Sequence, residues 1–124
     1  MFGLSESTVY YMCQHPVDMR KGINGLHKLV RSEMKMSPLS GSVFIFYGKN
    51  HQSVKLLRWD TDGFVLYQKR LEKGTFEIPK FDGAAGGYRM PWKTFSLIMQ
   101  GVLRSGLRDT ARDLRLKFRA NITI

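Results

Sequence analysis

The chain has 124 residues, 43% of them hydrophobic, with a formal net charge of +10 and one cysteine. This length suits one domain with a single core, and this composition a packed globule. Cys13 alone rules out an intrachain disulfide and a thiol-rich metal site; no apolar segment is long enough to span a bilayer, and Met1 to Glu6 lack the basic and apolar regions of a leader, so a cytoplasmic protein is expected.

Thr8 to Cys13, rich in β-branched and aromatic residues, predicts a strand closed by His15-Pro16. Asp18 is placed to cap a helix from about Met19 to Met36. Met19, Ile23, Leu26, Val30 and Met34 form its apolar stripe, with Arg20, Asn24, His27, Lys28, Arg31 and Lys35 on the other side. Gly22 and Gly25 weaken that helix by about 1 kcal/mol each relative to Ala, which suggests a close approach to the sheet or to a ligand backbone. Ser37 to Gly41 ends it. Val43–Tyr47, Val54–Trp59, Phe64–Leu71 and Thr75–Ile78 read as four strands with short turns, Asp62-Gly63 being a two-residue hairpin signal. Asp82 to Gly87 reads as a loose loop. A helix should run from Pro91 or Trp92 to about Gln100, with Gly101 just beyond. Leu103 to Lys117 has helical periodicity, but Gly106 and the many arginines mark it as a tail.

The charge points to a polyanionic partner. Nucleic acid is expected ahead of a membrane surface, because no amphipathic helix carries the flanking Trp and Lys of an interfacial one. Lys and Arg would neutralise phosphates and release counterions. The hairpin set is Lys55, Arg58, Lys69, Arg70 and Lys73, with Trp59 and Tyr67 either stacking on bases or filling the core. On the first helix Lys28 and Arg31 join Arg20, and Asn24 and His27 are able to read a base edge; a solvated amphipathic helix would look the same.

Asp60, Asp62, Glu72 and Glu77 raise the question of a metal-dependent nuclease, but the first two flank a turn that needs Asp-Gly chemistry anyway. His15, His27, His51 and Cys13 match no closed zinc site. The glycines from Gly83 to Gly87 lack the Lys-Ser/Thr and helix of a phosphate loop. No catalytic group, metal or cofactor is expected.

Pro16-Val17-Asp18-Met19-Arg20-Lys21-Gly22-Ile23-Asn24-Gly25-Leu26 resembles the Pro-Thr-Asp-Met-Arg-Lys-Gly-Phe-Asp-Gly-Leu block of the small TnpB accessory proteins of the insertion-sequence-66 family, which are unrelated to the RNA-guided nucleases called TnpB. Further marks follow in order: Ser40-Gly41 before Val43 to Phe46; Val54-Lys55-Leu56-Leu57 before Trp59-Asp60; Gly63 before Lys69-Arg70-Leu71-Glu72, Gly74, Phe76 and Pro79; and Gly101-Val102. The resemblance covers about residues 8–102 and adds Lys21 to the candidate contacts. It implies a bacterial mobile-element protein that supports transposition without catalysing it, beside a transposase and a second small accessory protein. Met90 departs from the family's Thr or Ser before the Pro, which removes a side-chain cap from the last helix.

The expected architecture is therefore α+β: an antiparallel β-meander of about five strands, packed with one N-terminal amphipathic helix and one short C-terminal helix. Residues 1–102 would form the domain and 103–124 a basic extension. The expected function is that of a non-catalytic transposition accessory protein that binds DNA at the element ends through Arg20, Lys21, Lys28, Arg31, Lys55, Arg58, Lys69, Arg70 and Lys73. The alternative is a scaffold that docks on the transposase or the other accessory protein.

Overall fold

A computed structural model describes residues 3–79 and 87–100. The elements run β1 (Tyr10–Cys13), α1 (Ile23–Ser32), β2 (Val43–Tyr47), β3 (Ser53–Asp60), β4 (Gly63–Arg70), β5 (Gly87–Met90) and α2 (Trp92–Gln100). One five-stranded sheet has the order β4-β3-β2-β1-β5.

The class is α+β, but the sheet is mixed. β2, β3 and β4 form an antiparallel meander, with Ile45 opposite Leu56 and Leu56 opposite Tyr67. β1 instead lies parallel to β2, with Tyr10 opposite Val43, and antiparallel to β5, with Tyr10 opposite Met90. The helix between β1 and β2 is the reason. A crossover of that length returns the chain to the same end of the sheet, whereas short turns can only reverse it. The amphipathic helix is thus the second element, not the N-terminal one.

Two strand assignments change. Thr75–Ile78 is no strand: Leu71 and Phe76 enter the core, and the Phe76 amide donates to the His51 carbonyl at 2.7 Å. The fifth strand is Gly87–Met90, read in the sequence as the end of a loop and an unassigned triplet. The extension 103–124 and most of the 82–87 loop lie outside the described residues.

α1 is shorter than its apolar stripe suggests. Gly22, not Asp18, is its N-cap, and no side chain caps it. The Asp18 carboxylate instead accepts from the Arg20 amide at 2.9 Å and from the Arg20 guanidinium at 2.7–3.1 Å, folding a turn ahead of the helix. Lys35, in the left-handed region at φ 57°, turns the chain away after the last turn.

The helices cover opposite faces of the sheet. Leu26, Val30 and Met34 pack with Cys13, Phe44, Phe46 and Leu57 on one side. On the other, Phe95, Ile98 and Met99 pack with Tyr10, Met12, Ile45 and Leu56, and the Tyr10 and Phe95 rings stack at 4.4 Å. Each such fully buried side chain contributes about 1.5–3 kcal/mol. With both faces covered, β2 is buried along its whole length and β3 along its first five residues.

Candidate nucleic-acid interface

The nine cations singled out in the sequence divide into two groups. Three are turned inward. Lys55 is 6% exposed, and its ammonium donates to the main-chain carbonyls of Met19 and Lys21, both at 2.7 Å. Lys69 reaches the last turn of α2, where its ammonium donates to the Met99 carbonyl at 2.6 Å, the favoured place for a cation on a helix dipole. The Arg58 Nε donates to the Gly41 carbonyl at 3.1 Å. These groups fasten the chain to itself. For Lys55 and Arg58 this follows from sandwiching: with a helix on each side of the sheet, a charge at either parity of β3 points inward, while Lys69 on β4 is drawn to the end of α2.

The other six are exposed: Arg20, Lys21, Lys28, Arg31, Arg70 and Lys73. Arg20 shares its charge with Asp18, whose carboxyl is held well below the usual range by that guanidinium. Asn24, Lys28 and Arg31 are four and three residues apart and so line one side of α1. Lys21 stands just ahead of them. A Cβ at Gly25 would lie 3.2 Å from Lys21 Cβ and Cγ, so the close approach made there is to the Lys21 stem. The first turn of α1 holds no acidic residue, which leaves the positive end of its dipole uncompensated by side chains. Arg70 and Lys73 lie apart, at the far end of β4 and in the turn after it.

One cation was not legible as part of this surface. Arg89 is exposed on β5 directly across from Tyr11, and cross-strand partners share a face. Tyr11 packs with the α1 cluster, so Arg89 belongs to the α1 side of the sheet. A four-residue strand after a glycine-rich stretch carries too little pattern to announce it.

The remaining candidates settle as follows. His27 is not on the solvent side with Lys28: its ring stacks on Phe64 at 5.6 Å and its Nδ1 is buried with no hydrogen-bond partner. Trp59 and Phe64, paired across the hairpin, meet edge to face at 5.1 Å and are half-buried, as is Tyr67. The three histidines lie apart: His15 Nε2 is 3.8 Å from Cys13 Sγ and 3.5 Å from Glu33, and His51 meets the Tyr47 ring edge-on. Asp60, Asp62 and Glu72 are exposed and Glu77 half-buried. Among the described residues no group of three or more His, Cys, Asp or Glu is placed to hold a metal ion, and no helix is long and apolar enough to cross a membrane.

Comparison with known proteins gives a consistent picture. The family model described as IS66 Orf2 like protein matches residues 8–108. Uncharacterized protein y4jC of Sinorhizobium fredii (strain NBRC 101917 / NGR234) is 34% identical over 102 residues, covering 82% of this chain and 86% of that protein. Uncharacterized protein y4hO of the same strain is 37% identical over 68 residues, 55% of this chain and 59% of that protein. No solved structure matches significantly.

Proposed function

The chain belongs to the IS66 Orf2-like family, and from that premise we propose that it is a non-catalytic accessory protein of insertion-sequence transposition that binds DNA through the exposed side of α1. The observation that carries this reading is the alignment of Asn24, Lys28 and Arg31 on one exposed side of the helix, with exposed Lys21 just ahead of it and no acid in its first turn. Cations on such a ridge meet successive phosphates, while Asn24 offers a donor and an acceptor to a base edge. Arg89 extends the positive surface on the same side of the sheet. The three inward cations are left out of the contact set, because each is engaged with a main-chain carbonyl.

The test is a salt titration of binding to element-end and random duplexes. Log affinity should fall linearly with log salt, by about 0.9 per phosphate contacted. Lys28→Ala and Arg31→Ala should each make that slope shallower by about 1. Flat salt dependence, or no binding at low salt, overturns the proposal. Divalent-metal-dependent cleavage abolished by Asp60→Ala would make the protein a nuclease instead.

A scaffold role has its own support in Leu39, 50% exposed, and in the half-buried Trp59. Large apolar groups left at the surface are suited to anchor a partner protein such as the transposase or the second accessory protein. Co-purification that survives nuclease treatment and Lys28→Ala/Arg31→Ala, but is lost in Trp59→Ala, would select that role.

A further inference from the structure

We propose that β4 is the seam of a homodimer, pairing antiparallel with β4 of a second copy to join the two sheets into one. The proposal does not depend on DNA binding. β4 is an eight-residue edge strand, and among the described residues β3 is its only strand neighbour. Phe64, Val65, Leu66 and Tyr67 are four consecutive apolar residues, all partly exposed. Its register with β3 runs unbroken from Ser53–Arg70 to Asp60–Gly63, so no bulge turns the edge away, and it holds no proline. Edges without such devices pair with further strands. β5, at the opposite edge, has only four residues.

The backbone fixes which groups face outward. In a two-residue hairpin the closing pair, here Asp60 and Gly63, exchanges its hydrogen bonds, and bonding residues alternate from there. Phe64, Leu66, Gln68 and Arg70 therefore present their amides and carbonyls to the open side.

Charge selects the occupant. Asp60 and Asp62 stand at the hairpin end of β4, whereas Arg70 and Lys73 stand at its other end, offset only in part by Glu72. Antiparallel self-pairing brings the acidic end of each strand beside the basic end of its mate. A chain of net charge +10 repels its copies in most other orientations. The two-fold axis that relates antiparallel strands in one sheet is normal to that sheet, so both α1 helices fall on the same side. α1 lies over β3 and β4, two to three strand spacings from its counterpart, which places the two helices about 10–14 Å apart across the joined sheet.

Sedimentation equilibrium of the full chain, without DNA, should find twice the monomer mass. Asp62→Arg or Arg70→Asp alone should raise the dimer dissociation constant by about tenfold, since symmetry counts each change twice. The double variant should restore it. Gln68→Pro, which removes one outward amide and leaves the β3 ladder intact, should give a monomer with unchanged circular dichroism. A monomer at every concentration, which would leave the edge to a strand from another protein or to residues of this chain outside the described set, overturns the proposal. So does a dimer indifferent to all four variants.

Discussion

The ammonium of Lys55, near the start of β3, donates to the main-chain carbonyl of Lys21 at 2.7 Å. One lysine thus anchors the turn from which another reaches solvent. Met19 accepts from the same ammonium at the same distance, so the approach to α1 is held at two points.

Replacing Lys55 should therefore damage the fold and spare the electrostatics of binding. Lys55→Met leaves two carbonyls without their donor, at a cost of about 2–3 kcal/mol in urea unfolding. The salt slope of DNA binding, measured where the variant is folded, should match that of the parent. A slope shallower by about 1 would return Lys55 to the contact set.

The hairpin turn offers the opposite change. Thr61 sits at φ 56°, in the left-handed region where a β-branched residue is strained. Thr61→Asn or Thr61→Gly should stabilise the protein by about 1 kcal/mol, read as a higher urea midpoint at unchanged slope. No rise in midpoint for either variant would mean that the turn relaxes without cost.

Two glycines should differ in their tolerance of a methyl group. A Cβ at Gly48 would lie 2.7 Å from Met19 Cγ, in a side chain whose own carbonyl is pinned by Lys55. A Cβ at Gly87 would meet Met34 Cε at the same distance, but that atom is the free end of its side chain and can swing away. Gly48→Ala should cost about 1–3 kcal/mol and Gly87→Ala clearly less, by thermal or urea unfolding of the pair. The reverse order would refute the pinning of Met19.

Alkaline pH should loosen the fold in two stages. Burial pushes up the Cys13 thiol, and likewise the Tyr10 and Tyr47 hydroxyls. These groups hold their protons more tightly folded than unfolded. Their contribution is complete below the unfolded pKa and is lost as pH rises through the folded one. Stability should begin to fall above about pH 8.5 for the thiol and again above about pH 10 for the tyrosines. Cys13→Ala should abolish the first stage and keep the second; an unchanged first stage would assign it elsewhere.

Much of this was legible in the residues. β2 keeps its boundaries because five apolar residues stand between two turn signals, and α2 begins beside Pro91 and ends at Gln100 as its punctuation implies. The sheet order was hidden. Parallel pairing of β1 with β2 leaves no local mark, and Asp18 reads as a cap until Arg20 is seen to claim its carboxylate. At the site, charge alone cannot separate Lys55 from Lys28. One lies in a strand covered on both faces and the other on the outer side of a helix, a distinction made by tertiary packing.

The place of β1 in the sheet has a consequence for how the protein is made. Its residues are synthesised before those of the other four strands, yet it lies between β2 and β5, with Tyr10 opposite both Val43 and Met90. At ordinary translation rates Met90 follows Tyr10 by roughly 4 to 16 seconds. Through that interval the nascent chain carries Tyr10, Met12 and Cys13, all later buried, with one flank unclaimed. A ribosome that stalls after β4 would hold an almost complete sheet whose inner strand is still open to a chaperone.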